Sequence, residues 1–99
     1  MKVRYAPAAM ADIDDIFSSI APNNPVAAQH VEDMIQETAE RLGRFPGVGA
    51  GTDLGNVRCI PLVRYPYTIY YRINATDDSV EVLRIVHAAT IKDLRRLPD

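Results

Sequence analysis

The stretch VRCIPLVRYPYTIYYRINATDDSVEVLRIVH, residues 57–87, decides the fold. It holds three runs rich in β-branched and aromatic residues: Val57 to Arg64, Tyr67 to Asn74 and Val80 to His87. Runs of this kind, bounded by turn residues, predict strands. Tyr65-Pro66 makes the first turn and Ala75-Thr76-Asp77-Asp78-Ser79 the second. Such connections are too short for parallel crossovers, so the strands form an antiparallel meander. Pro61 has no N–H for a ladder, which implies an edge position or a bulge. In the middle strand the period of two puts Tyr67, Ile69, Tyr71 and Ile73 on one face, expected to meet helices. Thr68, Tyr70, Arg72 and Asn74 take the other. In the last strand Val82, Arg84 and Val86 share one face, and Leu83, Ile85 and His87 the other. With Leu83 and Ile85 toward the core, Arg72 and Arg84 share the open face of the sheet beside Tyr70.

Upstream the pattern is helical. Pro7 suits the first turn of a helix. Ala9, Ile13, Ile16, Phe17 and Ile20 then form one apolar face. Asp12, Asp14 and Asp15 are expected near the start of that helix, as a solvated face favoured by its dipole. Asn24 is a good N-cap and Pro25 a good first residue for a second helix over about 25–43. Val31, Met34, Ile35, Thr38 and Leu42 make its stripe, and Gly43 is placed to end it. The turn Pro22-Asn23-Asn24-Pro25 is short, so the two helices form an antiparallel hairpin. Residues 2–6 alternate polar and apolar and predict a strand. A short terminal helix over about Ile91 to Leu97 is expected. The order β-α-α-β-β-β defines an α+β domain spanning 1–99, with the helical hairpin on one face of a mainly antiparallel sheet.

Composition narrows the function. Ninety-nine residues allow one core. No apolar run approaches the roughly 20 residues of a membrane span, and no secretory signal follows Met1, so a cytoplasmic location is expected. Eleven Lys/Arg against thirteen Asp/Glu give a net charge of −2, which argues against nucleic-acid binding by bulk charge. That small total averages two unlike halves. Residues 1–40 carry seven acids and two bases, and residues 41–99 nine bases and six acids. The helical half is acidic and the sheet half basic.

Few constellations carry chemistry. All five glycines, Gly43, Gly47, Gly49, Gly51 and Gly55, fall within thirteen residues. A phosphate cradle would follow a strand and open a helix. This loop does the reverse, so a flexible connector is expected. His30 and His87 have no partner at metal-ligand spacing, and neither a metal nor a cofactor is expected. Cys59 suits a small buried apolar side chain. The arginines are more informative: Arg58, Arg64, Arg72 and Arg84 all fall on predicted strands, and with Tyr70 they form a candidate surface for anionic groups of a target. Ordinary ion pairing, with Glu81 or the acidic helices, is the competing reading.

Several segments together resemble the ParE branch of the ParE/RelE superfamily, the toxins of type II toxin–antitoxin modules. They are Ala11-Asp12-Ile13-Asp14-Asp15-Ile16, Asn24-Pro25-Val26-Ala27-Ala28, Leu42-Gly43-Arg44-Phe45-Pro46-Gly47-Val48-Gly49, Arg64 to Ile73, and Val82-Leu83-Arg84-Ile85-Val86-His87-Ala88-Ala89. The resemblance covers about residues 2–90. It implies a toxin held inactive by a cognate antitoxin, as in plasmid stabilization modules. It further implies inhibition of DNA gyrase, as for ParE-like toxins, or mRNA cleavage on the ribosome, as for RelE-like toxins. A relative that binds antitoxin without toxicity is a third possibility. Where the family often has Arg after the closing strand, this chain has Thr90.

The basic half is expected to engage a protein target through Arg58, Arg64, Tyr70, Arg72 and Arg84. The antitoxin is expected across the hydrophobic surface beside the helical hairpin and sheet, at Ile13, Phe17, Met34 and Ile35. If the chain were a ribonuclease, His87, Tyr70 and Arg84 would be its candidates, although the face assignment sets His87 opposite Arg84.

Overall fold

The computed structural model describes residues 1–88; the expected terminal helix over 91–97 and Thr90 lie outside the described residues. The elements are β1 (Lys2–Tyr5), α1 (Pro7–Ile20), α2 (Pro25–Arg44), β2 (Ala50–Gly51), β3 (Val57–Pro61), β4 (Tyr67–Asn74) and β5 (Ser79–His87), with a 3₁₀ turn at Pro46–Val48. They form one five-stranded sheet in the order β1-β5-β4-β3-β2. The meander β3-β4-β5 is antiparallel as expected, and β1 pairs parallel with β5. The helical hairpin carries the chain across the sheet from β1 to β2 at the far edge, and the meander then returns strand by strand to β5 beside β1. The two-residue β2, which the sequence did not signal, pairs with Arg58 and Cys59. It stops short of Pro61, so the proline ends β3 where no outer strand needs its N–H. Arg64 therefore lies in the β3–β4 connection and not on a strand.

Both helices begin as the residues dictate. Pro7 occupies the first turn of α1. The Asn24 side chain accepts from the Ala27 N–H at 3.0 Å and caps α2. The buried stripe of α2 is Ala28, Val31, Ile35, Thr38, Ala39, Leu42 and Gly43. It closes on Ala9 of α1 and on Ile69, Tyr71, Val80, Val82 and Ile85 of the sheet. Each large aliphatic chain removed from water here contributes about 2 kcal/mol. Gly43 does not end α2, which continues to Arg44. Its role is close approach: a Cβ there would lie 2.9 Å from the Met1 carbonyl oxygen and 3.1 Å from a Val3 methyl.

The face assignment holds for β4 and fails within β5. Tyr70 stands opposite Arg84 and Tyr71 opposite Val82, leaving Leu83 as an extra residue in a bulge. One inserted residue reverses the alternation beyond it. Val80, Val82 and Ile85 therefore all face the helices, whereas Leu83 turns to the other side and packs with Val57 and Tyr70. The expectation that Leu83 and Ile85 share the core face is thus corrected.

The acidic run of α1 is also not a uniform solvated face. Asp14 and Asp15 are exposed, but Asp12 sits past the first turn and reaches β5. Pairing of β1 with β5 ends at Val82, so among the described residues no strand meets the Ile85 N–H on that edge. The Asp12 carboxylate accepts from it at 2.9 Å, and from Arg84 Nε and Nη2 at 2.6 and 3.0 Å. Replacing Asp12 by Ala removes these acceptors from a half-buried strand edge. The expected cost is about 2–4 kcal/mol, read as a lower urea midpoint with an unchanged denaturant slope. Asp14→Ala is expected to stay within about 0.5 kcal/mol of the parent.

Candidate functional site

The sheet arginines do not converge on one open surface. Arg58 Nη1 donates to the Gly49 carbonyl at 2.9 Å, with Gly47 O at 3.5 Å. Arg72 meets Glu81 through Nε and Nη2, both at 2.8 Å. Arg84 is held by Asp12. Of the four, Arg64 alone has no hydrogen bond or ion pair among the described residues. Tyr70 is only 1% exposed, beneath Val57 and Leu83.

The three acid–base candidates are likewise separated. Burial pushes the Tyr70 hydroxyl above the ordinary tyrosine range, and the neighbouring Cys59 adds to the shift. His87 is exposed and meets Tyr67 edge-to-face, with ring centroids 5.3 Å apart. It stands opposite Tyr67, whereas Arg84 stands opposite Tyr70. Along β4 that is a separation of about 10 Å, and Tyr67 and Tyr70 point to opposite faces. The structure brings Tyr70 and Arg84 together as neighbours and leaves His87 apart from both. Burial also raises the Cys59 thiol, as suits an apolar role. Among the described residues no cluster of His, Cys, Asp and Glu could hold a metal ion. No helix among them is long and apolar enough to cross a membrane.

The glycine loop is a fixed part of the scaffold. The Tyr71 hydroxyl donates to the Pro46 carbonyl at 2.8 Å and accepts from the Gly49 N–H at 2.9 Å. Arg58 takes the loop's carbonyls from outside. The loop thus offers acceptors to a cation and spends the Gly49 donor internally, the opposite of a phosphate cradle. Burial raises the Tyr71 hydroxyl despite opposing contributions from Gly49 and Arg58.

Cavities border α2 on both flanks, and a third, smaller one lined by His30, Asp33, Met34, Glu37, Arg64 and Tyr65 adjoins the larger of them. Between the helices lies a cavity of about 350 Å³, lined by Tyr5, Met10, Ile13, Asp14, Glu32, Ile35 and Gln36. Its rim is acidic and its floor apolar. On the other flank a cavity of about 680 Å³ runs between α2 and the β3–β4 connection. The four residues expected to meet an antitoxin divide accordingly. Ile13 and Ile35 line the inter-helix groove, with Ile35 1% exposed at its floor. Met34 lines the second groove, and Phe17 lines neither. The sequence reading did not single out Met10, an exposed apolar residue on the first rim, or Arg41 and Arg44 on the second. Their i, i+3 spacing on α2 was the available signal for the arginines.

Two helices on one face of a mixed five-stranded sheet are the fold of the ParE and RelE toxins. The profile of the family described as "ParE toxin of type II toxin-antitoxin system, parDE" matches residues 3–98. The chain belongs to this family. Y4kP, a toxin candidate from Sinorhizobium fredii, is 30% identical over 87 residues, 88% of each protein. A chain of the chromosomal ParDE system of P. aeruginosa superposes with a TM-score of 0.77 at 24% identity, covering 88% of this chain and 95% of that one. The isolated E. coli RelE toxin superposes at 0.67 with 12% identity, covering 96% of both chains.

The glycine geometry separates two otherwise similar substitutions. A Cβ at Gly49 would collide with the Tyr71 hydroxyl and lie 2.8 Å from the Cys59 carbonyl oxygen, whereas at Gly51 nothing lies within 4 Å. Gly49→Ala is expected to lower stability by about 1–3 kcal/mol, and Gly51→Ala to change it by less than about 0.5 kcal/mol, in parallel urea titrations. The buried hydroxyls set the alkaline limit. Burial raises the pKa of Tyr5, Tyr70 and Tyr71 in the folded chain above the ordinary tyrosine value of about 10. The unfolded chain therefore loses these protons first, and stability falls as pH rises above about 10. In Tyr70→Phe the alkaline fall in melting temperature is expected to be shallower.

Proposed function

We propose that this chain is a growth-arresting toxin that acts by binding DNA gyrase and is neutralised by a cognate antitoxin. Membership of the ParE family supports the gyrase reading over ribosomal mRNA cleavage. The observation that carries it is the arrangement of Tyr70, His87 and Arg84. Cleavage through a 2′-OH needs a base, an acid and cationic groups around one phosphate. Here the tyrosine is buried with a raised pKa, the histidine stands apart, and the Arg84 guanidinium is engaged by Asp12. Inhibition by binding needs no such triad.

The inter-helix groove is the proposed antitoxin seat. Its apolar floor, Ile13 and Ile35, and its exposed Met10 suit an amphipathic segment that orders on binding. Asp14 and Glu32 on the rim suit Lys or Arg on that segment. The solved structures of this fold include the E. coli RelBE toxin–antitoxin complex, in keeping with such a partner.

Purified chain is expected to inhibit gyrase supercoiling, and the product of the neighbouring small gene to restore it. Met10→Glu is expected to weaken antitoxin rescue by about tenfold while leaving inhibition in place. Undiminished supercoiling beside mRNA cleavage in a translating extract would reject the gyrase reading.

A further inference from the structure

The second groove carries an assignment that the sheet arginines do not. Arg41, Arg44 and Arg64 line it, together with Met34, Glu37, Thr38, Glu40 and Val63. Among the described residues no hydrogen bond or ion pair holds the guanidinium of any of these three arginines. By contrast, Arg58, Arg72 and Arg84 are all engaged within the fold. An unengaged guanidinium at a surface can meet a partner's carboxylate without first breaking an internal pair. Beside them Val63 is 75% exposed, the most exposed large apolar side chain described, and Phe45 follows Arg44 with 60% exposed. Arginine next to exposed apolar and aromatic residues is the composition of interface anchors.

We infer that the groove between α2 and the β3–β4 connection is a docking surface for an acidic, apolar-bearing segment of a partner protein, anchored by Arg41, Arg44, Arg64 and Val63. This rests on the reading that the chain acts by binding a protein, and it moves that contact away from Arg58, Arg72 and Arg84. Glu37 and Glu40 decide the class of partner. They stand among the arginines, one helical turn before Arg41 and Arg44. A uniform polyanion such as RNA would be repelled by them. A protein segment places its carboxylates individually, against the arginines, and its apolar groups against Val63. The groove lies on the flank of α2 opposite the acidic inter-helix groove, so the two surfaces select partners of opposite charge.

The test uses purified full chain and three fluorescent probes: a short peptide of Glu and Leu, its counterpart with Lys for Glu, and single-stranded oligouridine. The Glu/Leu peptide is expected to bind more tightly than either other probe. Arg64→Glu and Arg44→Glu are each expected to weaken it about tenfold, the scale of one charge-assisted contact. Val63→Asp is expected to weaken it as well. Lys2→Glu makes the same change in net charge on β1 and is expected to leave binding unchanged. Circular dichroism melts establish that each variant is folded. Equal losses in Lys2→Glu and Arg64→Glu would reduce the effect to bulk charge and overturn the assignment. Tighter binding of oligouridine, or no binding of the acidic peptide, would overturn it too. The gyrase reading is tested separately. If the parent inhibits supercoiling and folded Arg64→Glu inhibits equally, the groove assignment fails and the gyrase reading stands. If the parent does not inhibit but the peptide results hold, the reverse follows.

Discussion

One carboxylate closes the molecule. β1 runs beside β5 only as far as Val82 and then turns into α1, so among the described residues no strand pairs with β5 beyond Val82 on that side. Asp12 returns from α1 to that edge and accepts from the Ile85 backbone and twice from Arg84. An unmet N–H at a strand edge costs free energy if buried and invites another strand if exposed. Asp12 answers both conditions and fixes α1 over β5. The apolar core seats the hairpin on the sheet, and this attachment fixes where α1 lies along β5.

Much of this was legible in the residues. Proline and asparagine mark the helix starts, the apolar spacing gives their inner faces, and short connections force the antiparallel meander. What escaped has identifiable physical causes. The bulge at Leu83 shows in VEVLRIV only as a one-residue slip between Glu81 and Arg84, and the doubled Val82-Leu83 does not say which face either takes, because valine and leucine suit both. Asp12 looks like its neighbours Asp14 and Asp15 until tertiary structure brings β5 beside it. Gly43 resembles a helix terminator in sequence, but the close approach of Met1 and Val3 is what requires it. The candidate site was the least legible part. Ion pairing with Glu81 or the acidic helices, the competing reading of the strand arginines, is what Arg72 and Arg84 do, but the residues do not say which guanidinium takes which partner. Three of the four are engaged by Gly49, Glu81 and Asp12, residues distant in sequence or ambiguous as partners.

The charge division acquires a specific meaning in this light. The acidic half is not diffuse repulsion around the helices. One of its carboxylates is structural, and others rim an apolar groove. The basic half is not one cationic sheet face. Its partly buried arginines hold the loop, the β4–β5 ladder and the α1 attachment, and its unengaged arginines gather at the end of α2. For a ParE-family chain proposed to bind a target and an antitoxin, this gives two surfaces of different charge on one small scaffold.

Arg84 serves the fold as the partner of Asp12, and the proposed consequence is that target contact falls to other arginines. A double-mutant cycle on the pair tests it most directly, with urea unfolding of the parent, Asp12→Asn, Arg84→Gln and the double variant. The account predicts a coupling of at least about 1 kcal/mol, because each single variant strands its partner in a half-buried position. Additive losses, with coupling below about 0.3 kcal/mol, would contradict it and return Arg84 to the candidates for target contact.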